Sequence, residues 1–179
     1  MGKGKPLDPA GRYTIRLANE ADAARAGRIA REAWAPIHVV SEQIRGKEMH
    51  DVLCADWADE KEHAVISHWE RTPEWFRVVE DTGTGDVVAF VTFRTDKDKH
   101  LGLILNNAVA PEAQGKGVGT MMYAHVLDLF RAEGLRFASV GTGLDEGHAP
   151  ARRAYEKAGF NIQQPTVTYY QYLQKDRPE

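Results

Sequence analysis

Between residues 106 and 130 the chain reads NNAVAPEAQGKGVGTMMYAHVLDLF, a strand that passes through a glycine-rich turn directly into a helix. Gly115, Gly117 and Gly119 alternate along that turn. Glycine reaches backbone angles closed to other residues, so successive N–H groups can converge on an anion with no side chain between them. The start of the helix adds about half a positive charge, and Lys116 adds a full one. A pyrophosphate suits such a cradle. A nucleotide P-loop needs GxxxxGK followed by Ser or Thr, but Lys116 is followed by Gly117 and position 110 is alanine. A dinucleotide fingerprint needs GxGxxG and an acid at the end of the next strand, where this chain has GxGxG and then VGTG. A plain glycine-rich turn meets the same pattern.

The neighbouring elements follow from periodicity. Residues 13–18 (YTIRLA) alternate as a strand, and Asn19 offers a cap for a helix to about Trp34, with Ala23, Gly27, Ala30 and Trp34 on one face for packing on a sheet. Residues 36–73 are helical in pieces. WFRVVE, VVAFVTFR and residues 101–109 predict a three-strand antiparallel meander, with DTGTGD as its first reversal. A helix over 117–133 shows Val118, Met122, Val126 and Leu129 on one side and ends at Gly134. A strand at 137–140, a helix at 149–158 and two short β-rich pieces over 160–175, broken at Pro165, complete the pattern.

The chain of 179 residues suits one domain, expected over 13–175 after a polar, flexible tail at 1–12. With 23 Lys and Arg against 26 Asp and Glu, its charge of −3 gives no reason to expect nucleic acid as a partner. No apolar run approaches the ~20 residues of a membrane span, and nothing at the start resembles a secretory leader, so a cytoplasmic protein away from membranes is expected. Cys54 is the single cysteine, so it forms neither an internal disulfide nor a Cys pair for zinc.

Gln114, Gly117 and Gly119 fall on a Q/R-x-x-G-x-G/A signature, and AYEKAGF at 154–160 on a second one at matching separation. In both, the chain resembles the GNAT superfamily of N-acetyltransferases, specifically over 103–160. The resemblance implies an α+β fold: a mostly antiparallel mixed sheet of about seven strands, splayed at the fourth and fifth, with about four helices packed on it. It further implies acetyl-CoA as co-substrate, its pantetheine pairing with the backbone of Asn107, Ala108 and Val109. The N–H groups of Gln114, Gly115, Lys116, Gly117, Val118, Gly119 and Thr120 would hold the pyrophosphate. The acetyl group would pass directly to a primary amine of a small molecule or peptide, with no metal. A non-catalytic acyl-CoA-binding module would share these features.

Many relatives carry a glutamate on the fourth strand as base. This chain has Asn106 and Asn107 there, neither of which accepts a proton at neutral pH. Asn106 either contacts substrate or satisfies local backbone. His148 stands where the second signature commonly has a cofactor-holding Asn, so it would touch pantetheine, act as base or cap the following helix. Tyr155 is the expected general acid for the leaving thiolate. Ala151, Ala154 and Ala158 share its helix and would bring it close to the cofactor; otherwise its ring packs on the sheet. Trp34 and His38 belong to the early helices that commonly rim the acceptor. His63, His68, Trp57 and Trp69 are further rim candidates, since His63 and His68 are five apart and no HExxH occurs. His125 reads as a packing residue. Strand edges near the C-terminus would permit a homodimer.

Overall fold

The computed structural model describes residues 5–6, 8 and 10–173. Residues 1–4, 7 and 9 of the expected tail, and residues 174–175 of the expected domain, lie outside them. One mixed sheet of six strands runs in sequence order. It comprises β1 (Lys5–Pro6), β2 (Tyr13–Leu17), β3 (Phe76–Asp81), β4 (Val87–Asp96), β5 (Leu101–Val109) and β6 (Phe137–Val140). The first five are antiparallel neighbours; β6 joins β5 in parallel. Five α-helices accompany them among the described residues: α1 (Glu20–Arg45), α2 (Lys47–Leu53), α3 (Trp57–Arg71), α4 (Val118–Ala132) and α5 (Ala149–Lys157).

The expected seven strands are not met. β1 is only two residues long, and residues 161–173 form no strand. The β-rich composition of TVTYYQYL is therefore not enough: a strand needs a partner edge, and here Ile162, Val167, Tyr169 and Leu173 remain largely exposed. The edges that were to permit a homodimer are missing from these described residues. The first helix also exceeds its expected end at Trp34, running through Pro36 to Arg45. Pro36 lies on the exposed side, where losing one helical N–H is tolerable. Its start is as expected: Asn19 accepts from the Asp22 N–H at 3.1 Å while the Asp22 carboxylate accepts from the Asn19 N–H at 2.8 Å.

β4 is buried along its first seven residues because both faces of the sheet are covered. On one face α1 and α3 pack Ala26, Ile29, Ala30 and Val65 against Phe76, Val78 and Phe90. On the other, α4 and α5 pack Met122, Val126, Phe130 and Tyr155 against Val79, Val91 and Phe93. The apolar stripe of α4 advances by four residues through Val118, Met122, Val126 and Phe130, so Phe130 rather than Leu129 is its buried end. Gly27 allows close approach, but to α3 rather than to the sheet: a Cβ there would stand 2.8 Å from Glu62 Cγ.

Two features mark the sheet along β5. β6 ends with Val140 opposite Ile104, whereas β5 continues to Val109. These are the fourth and fifth full-length strands, where the splay was expected. The β4–β5 register also shifts between Val91 and Phe93. There the buried Thr92 hydroxyl accepts from the Asn106 N–H at 2.9 Å and donates to the Asn106 carbonyl at 3.1 Å, holding the bulge in β5.

Candidate active site

Beyond Ile104, β5 leads through Ala110 into the glycine turn, so the cradle stands at the foot of the opened strand. Gly115 and Gly117 have φ of 73° and 80°, the left-handed conformation that favours glycine. Gly117 precedes the first turn of α4 and gives it no side-chain cap, which leaves that turn's N–H groups facing outward. Gly119 differs from the expectation. It is helical, and a Cβ there would make ordinary contacts with Val109 and Ala154 at 3.6 and 3.9 Å. It lies where α4 passes β5 and α5, with room for an alanine. Gln114 differs too: its N–H is taken by the Pro111 carbonyl at 3.3 Å, and its side chain braces the Val109 carbonyl at 3.1 Å. Lys116 donates to the Glu112 carbonyl at 2.8 Å from an exposed position. Val118 is buried beneath the cradle in the core.

Asn107 is a buried junction. Its Oδ1 accepts from Tyr123 Oη at 2.7 Å and from Tyr155 Oη at 3.2 Å, while its Nδ2 donates to the Leu105 carbonyl at 2.9 Å. The two rings lie 4.8 Å apart. Burial pushes both phenols above the usual tyrosine range; for Tyr155 the interactions with Asn107 and Tyr123 work in the opposite direction. Tyr155 packs its ring in the core and turns its hydroxyl to Asn107 of β5. Its alanine neighbours pack inward: Ala151, Ala154 and Ala158 lie against the core, with Ala154 beside Gly119.

His148 does not cap α5 with its side chain. Asp145 caps the preceding turn instead, accepting from the His148 N–H at 3.2 Å, and its other oxygen meets His148 Nδ1 at 2.7 Å. Burial raises the Asp145 carboxyl, but His148's hydrogen bond and charge outweigh it and hold it below the usual value. Arg152 pins this loop through the Gly143 and Asp145 carbonyls at 2.7 and 2.6 Å. Gly147 rests on α1, where a Cβ would stand 3.0 Å from Ile37 Cα.

α1 and α3 supply a second wall. His38 stacks on Trp57 at 4.0 Å, and its Nδ1 is 3.4 Å from His50 Nε2. Burial, then the positive charge of His50, Arg45 and Lys61, lowers the His38 pKa to about 4. Lys61 Nζ lies 4.1 Å from the centre of the Trp34 ring and donates to Asn106 Oδ1 at 3.3 Å. Trp34, His38 and Asn106 are thus brought to one wall together with Trp57. His63, His68 and Trp69 are not: His63 is exposed, His68 lies edge-on to Phe76, and Trp69 packs on the core. His125 is half-buried on α4. The ligand atoms of His38, His50 and Cys54 lie within 4.8 Å of one another, a grouping that spacing did not predict. Arg45 donates to Cys54 Sγ at 3.1 Å, which sets a guanidinium against any cation there.

The profile of the acetyltransferase (GNAT) family matches residues 40–160, more than half of the chain. The chain belongs to that family. Phosphinothricin N-acetyltransferase of Streptomyces coelicolor is 27% identical to this chain over 105 residues, 57% of the chain and 60% of the relative. The alignment thus spans 60% of that curated relative's length. PaiA N-acetyltransferase of Thermoplasma acidophilum, solved in complex with coenzyme A, superposes with a TM-score of 0.66 at 16% identity, covering 86% of this chain and 92% of that one. YncA of Salmonella typhimurium, solved with acetyl-CoA, gives 0.58 at 22% identity over 86% and 82%. At these identities the two structures show the fold alone. No described helix of the chain is long and apolar enough to cross a membrane.

Lys61, Thr92, Tyr123 and Asp145 escaped the sequence reading. Asp145 was within reach, standing three residues before His148 as a capping residue does. Lys61 and Thr92 act across elements, and no spacing in the chain records which helix faces which strand.

Proposed function

We propose that the chain is an acetyl-CoA-dependent N-acetyltransferase that passes the acetyl group directly to a primary amine of a small-molecule or peptide acceptor. The observation that carries this reading is the uncapped start of α4, entered through two left-handed glycines, at the foot of a strand whose parallel partner ends opposite Ile104. The N–H groups of residues 115–120 take the pyrophosphate, and the backbone of Asn107, Ala108 and Val109 takes the pantetheine in the space β6 leaves. That PaiA and YncA were solved with coenzyme A and acetyl-CoA supports this choice of donor.

The neutral amine attacks the thioester carbonyl carbon and forms a tetrahedral oxyanion. Its collapse breaks the C–S bond, the nitrogen loses a proton, and the thiolate gains one. Tyr155 is the acid. A leaving thiolate takes a proton from a phenol whose pKa burial holds above the usual tyrosine value, which is uphill but within reach of general acid catalysis. With Asn106 and Asn107 in place of an acid, His148 is the base. Asp145 fixes its Nδ1 and leaves Nε2 for the amine or a bridging water.

A panel of primary amines offered with acetyl-CoA, read by free thiol and product mass, tests the activity. Acetylated product on any amine supports it, and tight acetyl-CoA binding without turnover on any of them makes the protein a binding module instead. His148→Asn should stay folded and lose roughly 10²–10⁴-fold in kcat. Unchanged turnover from about pH 6 to 9, across the histidine range, would remove the base assignment.

A further inference from the structure

Among the cations of this protein, Lys61 is unusually placed. Arg12 pairs with Asp81, Arg16 with Asp22 and Glu80, Arg25 with Glu112, and Arg31 with Asp59. Arg77, also drawn out of water, is satisfied by the Glu74 and Phe76 carbonyls. Lys61 is half-buried and forms no ion pair with a described carboxylate; it has the Trp34 ring face and one neutral amide oxygen. An ammonium has three N–H donors, and a charge taken from water without a counter-charge is costly. Burial accordingly holds the Lys61 pKa below its ordinary value.

Helical spacing builds the wall around it. Trp34 and His38 are four apart on α1, and Trp57 and Lys61 are four apart on α3, so each pair shares a face. The faces interlock through the His38–Trp57 stack. The charges that lower the His38 pKa are those of His50, Arg45 and Lys61. Asn106 ties Lys61 to the part of β5 that lies beyond the end of β6. A cation in His38, His50 and Cys54 would meet the Arg45 guanidinium that already donates to Cys54 Sγ, whereas an anion at Lys61 would supply the missing counter-charge.

We infer that Lys61, backed by Trp34 and Asn106, is the subsite for a carboxylate on the acceptor, which makes the acceptor a free amino acid or similar anionic amine and selects against polyamines. The inference rests on the acetyl-transfer reading for its chemistry but not for its binding test. The ammonium supplies the counter-ion and a directed hydrogen bond, and the flat indole beside it excludes water from the pair.

The test compares the common L-amino acids with their C-terminal amides and with spermidine, on wild type, Lys61→Arg and Lys61→Met. Binding is read by thermal shift with CoA present, and kcat/KM wherever turnover occurs. Expected are a carboxylate-over-amide preference of about 10–10³-fold in wild type, most of it lost in Lys61→Met and part retained in Lys61→Arg. CoA affinity should be equal in all three proteins, which separates this subsite from the cradle. Carboxylates that bind no better than their amides, spermidine as the preferred ligand, or a preference untouched in Lys61→Met would each overturn the assignment. If carboxylates bind through Lys61 while no amine is acetylated, the subsite stands and the transferase reading falls.

Discussion

Asn107 accepts from two phenols at once, and this decides how its neighbours can be tested. Removing the Tyr155 hydroxyl leaves Asn107 Oδ1 still bonded to Tyr123 at 2.7 Å, so no buried acceptor is orphaned. Tyr155→Phe should therefore melt within a few degrees of wild type and bind acetyl-CoA with nearly equal Kd. Its kcat should fall by roughly 10–10³-fold. Wild-type kcat with chemistry rate-limiting would return Tyr155 to a packing role. Its place at the junction was partly legible in the chain, because AYEKAGF fixed the residue and the helix fixed its side. The partner was not. Asn107 read as a neutral residue where a base was sought, and only the pairing of β5 with α4 and α5 reveals that it accepts from hydroxyls.

The glycine turn was legible as an element but not residue by residue. Alternation of Gly115, Gly117 and Gly119 suggested three equivalent positions, yet only the first two use positive φ, since the helix has begun by Val118. The consequences of substitution should separate accordingly. Gly117→Val forces a β-branched residue into the left-handed region and sets its side chain at the mouth of the cradle, so CoA binding by calorimetry should be lost. Gly119→Ala adds a Cβ to ordinary contacts and should keep CoA affinity within about threefold, helped by alanine's better helix propensity. Equal losses in the two would mean that the cradle acts through its helix crossing rather than its backbone angles. Helices α1 to α3 were the poorly legible region. Their apolar residues keep no single period because α1 packs on the sheet, on α3 and on the turn before α5 together, and Pro36 suggests a stop that an exposed site does not enforce.

At the scale of the whole molecule, the order of elements from β2 to α5 was readable, and the C-terminal stretch was not, since its composition favours a strand without supplying a partner. Two linked expectations belong here. Burial raises the pKa of Tyr123 and Tyr155, so the native state keeps protons that the unfolded chain gives up near pH ~10. That contribution is complete below the unfolded value and is lost as pH rises above it toward the folded values. Urea midpoints should therefore fall on the alkaline side of about pH 10, and less steeply once both tyrosines are phenylalanine; parallel curves would show that the phenols are reached by water. The second expectation arises from the short parallel seam. Only Leu101 to Ile104 pair with Phe137 to Val140, and alternate residues of β6 are exposed, whereas β4 is enclosed on both sides. The half of the molecule carrying β6, His148 and Tyr155 is thus fastened to the rest by four rungs, the packing of α4 and α5, the Tyr155–Asn107 hydrogen bond and the contact of Gly147 with α1. Its amides should exchange with solvent through a partial opening well before those of β4. CoA, spanning both halves, should slow that exchange about a hundredfold at concentrations near 100 times its Kd. The catalytic wall would then breathe in the empty protein and be clasped shut by the molecule it serves.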